Sequence, residues 1–339
     1  MGKFLHYRAA AAAALLIGLF SGSAMAADAG NTPKDVTVIR FFANHGQVES
    51  YQIAAALGWL KDKGIEIQSV GFSQGGPENL FGLNNGSVDI AGAATPALIN
   101  AITGGAPIIG VMPETGESER TNSKFFVLAD SPIKTAEDLK GKTIAVNTLG
   151  AHLDYTAREY LRQHHMSPSD VQLVVVPGPQ LDQVLRHKQV DVAATGAWEA
   201  IFAGRIAAEG SVRVLFTAYE VLGPMALSSN IMRKSFIEQH PQAVRDFVTA
   251  SAKAVDWTDG HPEEAKRLVA EIYKERGDNP ELVTYWTGNG LRQHNLYTDH
   301  DAQFWIDALV REGRLKPGQL TPADIATGKY NEFAHLLQQ

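Results

Sequence analysis

The turn at residues 148–150 is the first place in the chain where residue types and spacing point to chemistry, namely the binding of a small anion. The sequence predicts a short buried strand over residues 143–147 and a helix over residues 151–161, with apolar side chains at helical spacing on one face. A strand that runs directly into a helix aims free backbone N–H groups and the positive end of the helix dipole at one point. The alternative is an ordinary strand–helix unit with an empty loop.

The residue pattern does not support other chemistry. The chain has no cysteine and no G-x-S-x-G motif, so it offers no nucleophile–base pair, and we predict that the protein is not an enzyme. His164 and His165 are adjacent and therefore lie on different helix faces, while His294 and His300 lack the i, i+4 spacing of a zinc site. We expect neither a metal ion nor another cofactor.

Residues 1–26 have the organisation of a cleavable secretory signal peptide. Lys3 and Arg8 precede an apolar run at residues 9–20, and Ala24 and Ala26 supply the small residues of a cleavage site after Ala26. The alternative is a single-span membrane anchor, but the run is shorter than the ~18–20 residues that a bilayer crossing needs. No cysteine follows the cleavage site to carry a lipid, so the sequence predicts a soluble periplasmic protein of a Gram-negative bacterium.

Charge and length restrict the partners and the architecture. Cleavage removes two cations, Lys3 and Arg8, and no anion, so the formal net charge changes from −7 to −9. This acidic balance argues against nucleic acid or an anionic membrane surface as a partner. The 313 residues that remain of 339 are enough for about two domains of ~150 residues each.

Short β-branched runs alternate with helical windows up to about residue 230, and among them we predict a helix over residues 47–61 and a strand over residues 65–72. This alternation predicts mainly parallel sheets covered by helices. Such sheets bind ligands beyond the carboxyl ends of their strands, so the loops at residues 44–47, 73–76 and 92–95 are candidate binding loops. The remaining chain is predicted to be helical, over residues 241–257, 262–273, 280–287 and 299–311 and from Thr321 and Pro322 onward.

A short sequence repeat links the two halves of this pattern. Val88-Asp89-Ile90-Ala91 and Val190-Asp191-Val192-Ala193 are each followed by small residues and a helix start. The repeat predicts equivalent strand-to-helix turns in both halves, and two such turns facing each other would form the walls of a cleft.

Three segments carry a family resemblance: GLNNGSVDIAGAATPALINAITGGAPI (82–108), SPIKTAEDLKGKTIAVNTLGAHLDYTAREYL (131–161) and QLDQVLRHKQVDVAATGAWEAIFA (180–203). With these motifs the chain resembles the periplasmic substrate-binding proteins of ABC importers in the aliphatic-sulfonate, nitrate and taurine group. The resemblance extends from Val36 to about Thr258.

The resemblance implies a bilobal α/β fold, the type II periplasmic-binding-protein fold, in which two mixed, mainly parallel sheets are flanked by helices and joined by two crossover strands. We expect lobe 1 at residues 33–123 and 225–339, lobe 2 at 124–224, and crossover strands at 124–129 and 225–230. A ligand between the lobes would close the hinge, and a membrane permease with a cytoplasmic ATPase would recognise the closed form. The protein is expected to act as a monomer.

The resemblance also implies a set of ligand-binding residues on two walls. The first wall would comprise Asn44, His45, Gly46, Gln74, Gly75, Gly76, Thr95 and Pro96, and the second Thr148, Gly150, Ala151, His152, Trp198 and Glu199. Backbone N–H groups and threonine hydroxyls would bind sulfonate or carboxylate oxygens, and Trp198 would cover the apolar part of the ligand.

Some alternatives stay open at this stage. Trp198 could serve in helix packing, and Glu199, where relatives often have aspartate followed by proline, could merely stabilise a helix terminus. If Glu199 faces the cleft, it suits the amine of a zwitterion such as taurine. Besides an aliphatic sulfonate or related sulfur compound, the ligand could be taurine, nitrate or a pyrimidine precursor. A ligand-presenting sensor and an enzyme of thiamin-precursor synthesis are the other functions to weigh.

Overall fold

The computed structural model describes residues 36–338, and the signal peptide predicted at residues 1–26 lies outside them. Within the described residues the strands are β1 (Thr37–Ala43), β2 (Ile65–Phe72), β3 (Ile90–Ala94), β4 (Ile108–Pro113), β5 (Gly116–Glu117), β6 (Lys124–Leu128), β7 (Thr143–Val146), β8 (Gln172–Val175), β9 (Val192–Thr195), β10 (Val212–Thr217), β11 (Met225–Ala226) and β12 (Ser228–Arg233). The helices are α1 (Ser50–Ala56), α2 (Gly76–Asn85), α3 (Thr95–Thr103), α4 (His152–Gln163), α5 (Leu181–Arg186), α6 (Ala200–Ala208), α7 (Ala218–Leu222), α8 (Lys234–Gln239), α9 (Pro241–Gly260), α10 (Pro262–Arg276), α11 (Asp299–Arg311) and α12 (Pro322–Ile325).

The fold is mixed α/β, with several sheets flanked by helices, as the sequence predicts. The largest sheet has the strand order β10-β6-β9-β7-β8. Strands β9, β7 and β8 are parallel, whereas β6 is antiparallel to both of its neighbours. Strands β1 and β2 form a separate parallel pair. Strands β3 and β4, together with β12 from later in the chain, form a three-stranded sheet with the order β3-β12-β4, in which β12 is antiparallel to both partners.

The repeated Val-Asp motif makes the same pair of hydrogen bonds in both places, which we call the aspartate clasp. The Asp89 N–H donates to Arg40 O at 2.8 Å, and Asp89 Oδ2 accepts from the Arg40 N–H at 3.0 Å. The Asp191 N–H likewise donates to Thr143 O at 3.1 Å, and Asp191 Oδ2 accepts from the Thr143 N–H at 2.9 Å. Each aspartate therefore holds the start of the strand that follows it, β3 or β9, beside β1 or β7.

The link between the five-stranded sheet and the rest of the chain differs in detail from the expectation. Lys124–Leu128, expected to be a crossover strand, lies inside that sheet, and the connecting ribbon is the antiparallel pair β5 and β11. The predicted strand at 225–230 is divided at Leu227, because Met225–Ala226 pairs with β5 whereas Ser228–Arg233 pairs with β3 and β4.

The helices after residue 240 pack on the core of the first half. Val244, Phe247 and Val269 of α9 and α10 share a buried cluster with Ile39 of β1 and Tyr51 of α1. Trp305 of α11, with none of its surface exposed, belongs to a second cluster around α3 and β12. The C-terminal helical cover thus fixes the position of the strands whose carboxyl ends carry the candidate site.

Two predicted helices have different bounds in the structure. The helix predicted over 47–61 ends at Ala56, because Gly58 adopts φ +80°, a left-handed conformation that cannot continue an α-helix. The segment predicted to be helical over 280–287 is a 3₁₀ turn, Pro280–Tyr285. In contrast, Ile65–Phe72 and Asp299–Arg311 have the predicted bounds.

Candidate functional site

The turn that contains Asn44, His45 and Gly46 lies against helix α6. A Cβ added at Gly46 would lie 2.8 Å from Ile201 Cδ1, so this turn of the first wall is in close contact with the helix that follows Trp198 and Glu199. The turn itself is held by His45, whose ring stacks on Phe72 with 4.2 Å between ring centroids and whose Nδ1 lies 2.6 Å from Asp278 Oδ1.

Gln74, Gly75 and Gly76 form the beginning of helix α2. Gly75, at φ +146°, precedes the helix and provides no side-chain cap, and the Gln74 N–H donates to Glu78 Oε2 at 2.8 Å. Gly76 packs on Ala93 of β3, where an added Cβ would lie 3.1 Å from the alanine Cβ. The glycine is needed for this close approach of helix and strand.

Thr95 and Pro96 are buried at the start of α3. The Thr95 hydroxyl donates to Leu227 O at 3.1 Å, and Thr95 lines a cavity of about 290 Å³ together with Tyr297 and Asp301. In this structure the Thr95 hydroxyl is therefore bonded to the backbone and borders a space that involves the C-terminal segment.

Thr148, Gly150 and Ala151 occupy the strand-to-helix turn before α4, as the sequence predicts. Ala151 precedes the first helical residue and provides no side-chain cap, and the Gly150 N–H donates to Asp154 Oδ2 at 2.7 Å. Asn147, directly after β7, has a buried Oδ1 with no hydrogen-bond partner in the described part of the chain. The turn thus combines an uncapped helix start with an unsatisfied carboxamide.

His152 is buried in a polar cluster with Glu117 and Ser123. Its Nε2 lies 3.1 Å from Glu117 Oε1 and 3.2 Å from Ser123 Oγ. The Ser123 N–H donates to Glu117 Oε2 at 2.9 Å, and the Ser123 hydroxyl accepts from the Ala197 N–H at 3.0 Å. Because Glu117 belongs to β5, this cluster ties the start of α4 and the β9–α6 turn to the connecting ribbon. A serine–histidine–acid relay would need the acid on Nδ1, whereas both partners here meet Nε2.

Trp198 and Glu199 follow β9 at the same edge of the sheet. The partly exposed Trp198 ring packs on Gly196 and meets the His152 ring edge-on at 6.1 Å between ring centroids. The Glu199 carboxyl is buried against the Cα of Gly178 and accepts only a long bond of 3.3 Å from the Gly196 N–H. Burial raises the pKa of Glu199 to about 7, since no cation compensates for the lost solvation.

Three buried polar side chains after strands β1 and β4, Gln47, Glu49 and Glu114, were not among the expected site residues. Gln47 Nε2 donates to Glu114 Oε1 at 3.4 Å, and the Glu114 carboxyl packs on the Cα of Gly92. Burial raises the pKa of Glu114 to about 7, and burial together with the neighbouring Glu114 raises that of Glu49. Their positions in the sequence could have indicated these residues, because Glu114 directly follows strand β4 and Gln47 lies in the candidate binding loop after β1.

The structure therefore brings several of the expected residues together. The Asn44–Gly46 turn meets α6 beside Trp198 and Glu199, and Trp198 meets His152, whereas Thr95 is engaged elsewhere. Their roles in ligand binding stay predictions. In the part of the chain that the structure describes, no group of three or more metal-ligating side chains is suitably placed, and no helix has the length and apolar character needed to cross a bilayer.

Two relatives illustrate the range of ligands named for similar sequences. The chain is 26% identical to the riboflavin-binding protein RibY of Chloroflexus aurantiacus over 92% of this chain and 89% of that protein. It is 27% identical to a putative aliphatic sulfonates-binding protein of Bacillus subtilis over 65% of each chain. Both relatives are named as binding proteins.

Solved structures show the same fold at low sequence identity. The periplasmic aliphatic sulphonate binding protein SsuA of Escherichia coli matches with a TM-score of 0.68 at 19% identity, covering 87% of this chain and 92% of that one. The desulfurization enzyme DszB matches with a TM-score of 0.63 at 16% identity, covering 89% and 100%. The fold is thus that of bilobal periplasmic binding proteins, and it also occurs in an enzyme.

The match to a family covers the candidate site apart from Asn44. Residues 45–265 match the family described as NMT1/THI5 like. This segment contains α1, the glycine-rich start of α2, the uncapped start of α4 and the Trp198-Glu199 pair. The chain belongs to the NMT1/THI5-like family.

Proposed function

We propose that this protein is the periplasmic solute-binding component of an ABC import system and that it captures a small organic anion, an aliphatic sulfonate or a related sulfur compound. In this proposal the five-stranded sheet belongs to one lobe, residues 124–224, and residues 33–123 and 225–339 form the other. Closure on the ligand creates the form that a membrane permease with a cytoplasmic ATPase accepts.

The start of helix α4 carries the anion part of the proposal. This helix has 12 residues, lacks a side-chain cap and begins after the turn that follows the buried strand β7, so its N–H groups and dipole favour a negative group near Thr148 and Ala151. The unpartnered Asn147 Oδ1 at the same turn is an acceptor for an N–H or O–H group of the ligand, whereas the Nδ2 of this carboxamide is the atom that can donate to an anion.

The connecting ribbon supports a hinge. Only two residues of each connection, Gly116–Glu117 and Met225–Ala226, pair with each other between the five-stranded sheet and β12. A two-stranded link of this kind can bend through a few backbone torsions. Closure then depends on contacts that exist only when both walls touch the ligand.

A second candidate ligand class follows from the buried carboxyls. Glu114 and Glu199 have pKa values of about 7 and can accept bonds from an amine or a ring N–H. This favours a zwitterion such as taurine, or a nitrogen heterocycle of the kind named for RibY, over a plain alkanesulfonate. Catalysis by a thiol nucleophile is not proposed, because a chain without cysteine cannot supply one.

Calorimetric titration of the mature protein decides between these classes. The panel comprises alkanesulfonates, taurine, nitrate, small aromatic sulfonates and riboflavin. We expect saturable binding of at least one sulfonate with a dissociation constant in the micromolar range or below, about −8 kcal/mol. The absence of binding for every sulfonate in the panel would contradict the sulfonate assignment. Binding of riboflavin alone would identify the ligand as a nitrogen heterocycle.

A matched pair of variants tests the α4 turn in the same titration. Asn147→Ala removes the unpartnered carboxamide and is expected to weaken sulfonate binding about tenfold. Asn85→Ala, at the exposed end of α2, serves as the control and should leave affinity unchanged. Equal affinities of the two variants would place the ligand away from α4. A mass spectrum of the ligand that co-purifies with the protein would identify it directly.

A further inference from the structure

A cavity of about 170 Å³ lies beside the segment that connects β5 to β6. It is bordered by Ser50 and Ile53 of α1, by Val255 and Thr258 of α9, and by Arg120 and Leu291 from two loops. None of the residues proposed above for the ligand cleft lines it. In size it is similar to engineered cavities of ~150 Å³ that hold a molecule as large as benzene.

Two hydroxyls in this cavity lack a hydrogen-bond partner. Ser50 is 2% exposed and Thr258 is 7% exposed, and neither Ser50 Oγ nor Thr258 Oγ1 has a bonding partner among the described residues. An unsatisfied buried hydroxyl costs about 1–3 kcal/mol. Two such groups lining one cavity indicate that its occupant is polar.

The solvent-facing end of the cavity carries one charge of each sign. Arg120 Nη2 lies 3.3 Å from Asp259 Oδ1, and both side chains are more than half exposed. Such a surface ion pair contributes only ~0–1 kcal/mol to stability, so a ligand can separate Arg120 from Asp259 at little cost in free energy. Ile53 of α1, Val255 of α9 and Leu291 provide the apolar surface of the cavity.

We propose that this cavity is a second binding site, for a small zwitterion with a compact apolar body. The ligand carboxylate bonds to Arg120 and to the two hydroxyls, and its ammonium group bonds to Asp259. The aliphatic side chains of the cavity cover its carbon skeleton. This site is independent of the sulfonate-binding proposal, because it uses different residues and is tested with a different ligand.

L-Valine is the probe, and two analogues that share its branched body isolate the charges. Isovalerate carries only the carboxylate, and isobutylamine carries only the ammonium group. In calorimetric and saturation-transfer NMR titrations of the mature protein, valine should bind at least tenfold more tightly than either analogue. Equal affinities of all three, or no saturable binding of valine, would overturn the proposal.

Variants then locate the bound valine. Thr258→Leu fills the cavity and should abolish valine binding, whereas the isosteric Thr258→Val removes only the hydroxyl and should weaken it about tenfold. Arg120→Gln and Asp259→Asn, both on the surface, should each weaken it at least fivefold. Thr103→Val, at the exposed end of α3, is the control and should bind valine normally.

The variant Trp198→Ala separates this site from the cleft. It should retain valine binding, because Trp198 does not border the cavity. Valine binding that survives Thr258→Leu, or that is lost in Trp198→Ala, would place valine in the cleft and overturn the second site. Thermal unfolding of each variant verifies that it is folded. If Thr258→Leu does not fold, Thr258→Val still tests the proposal.

Discussion

The strands β3 and β9 begin after Asp89 and Asp191, and the same two bonds of the aspartate clasp, one from the backbone N–H and one to the side-chain Oδ2, connect each aspartate to a neighbouring strand. The surroundings of the two aspartates differ. Asp89 is 4% exposed and bonds to Arg40 at 2.8 Å and to Arg233 at 2.7 Å. The Asp191 side chain is 37% exposed, and its nearest cation, Lys142, lies at 3.5 Å.

The aspartate clasp therefore occurs both at a buried site with two arginines and at a half-exposed site with one lysine. Arg233 comes from β12, the return strand that follows the connecting ribbon, so Asp89 joins β1, β3 and β12 through charge as well as through the backbone. β9 also has an antiparallel neighbour, β6, but among the described residues Asp191 forms its ion pair with Lys142 and not with an arginine of that strand. The arginines hold the pKa of Asp89 below its usual value despite its burial.

The largest expected effect concerns two buried carboxyls of the candidate site, Glu199 after β9 and Glu114 after β4. Glu199 has an ordinary pKa of 4.5 when unfolded and about 7 when folded. As pH rises from 4.5 to 7 the unfolded chain loses this proton while the folded chain keeps it, so the free energy of unfolding falls. At pH 8, Glu199→Gln should therefore be more stable than the wild type by about 3 kcal/mol.

Urea unfolding at pH 5 and pH 8 measures this effect. At pH 5 the variant and the wild type should be similar in stability, because the carboxyl is largely protonated in the folded chain. Glu114→Gln should shift stability in the same direction but by less, since Glu49 remains buried beside it. A Glu199→Gln variant that is less stable than the wild type at pH 8 would mean that a cation or ligand compensates for the charge.

A smaller effect is expected from the clasps themselves. Asp89→Asn leaves two arginines without their buried carboxylate and should lower the free energy of unfolding by about 2 kcal/mol. Asp191→Asn, at a half-exposed site, should cost less than about 1 kcal/mol. Because the pKa of Asp89 is lowered from 3.8, its contribution is fully present above that pH and should decline as pH falls below it, which urea unfolding at pH 7 and pH 3 would reveal. Equal losses in both variants at pH 7 would mean that the arginines add no stability beyond the aspartate clasp.

Local sequence patterns predicted many helices and strands of this fold, whereas contacts between residues distant in sequence could not be predicted from such patterns. The strand Ile65–Phe72 and the helix Asp299–Arg311 follow from apolar periodicity and flanking residues alone. The division of the 225–230 strand at Leu227 does not, because it depends on pairing with β5 more than a hundred residues earlier. The engagement of Thr95 with Leu227 and the meeting of Glu114 with Gly92 are likewise consequences of tertiary packing.

The site was predictable to the level of its turns but not of its individual side chains. The uncapped start of α4 and the glycine-rich start of α2 follow from strand-to-helix transitions in the sequence. The burial of His152 against Glu117 could not be foreseen, since Glu117 lies on a two-residue strand with no periodic signal. A histidine in a turn has the same sequence pattern whether it faces solvent or a buried carboxylate.

An effect smaller than that of Asp89→Asn tests whether Trp198 supplies the apolar wall of the proposed cleft. Trp198→Ala should weaken ligand binding by more than about tenfold, equivalent to ~1.4 kcal/mol, because the partly exposed ring offers a large apolar face at the candidate site. Trp257→Ala, a partly buried tryptophan of α9, is the matched control and should leave affinity unchanged. Trp198→Phe should recover most of the affinity if the ring covers the ligand. If both Trp198 variants bind like the wild type, the tryptophan serves only to pack against Gly196 and His152, and the first half alone would hold the ligand.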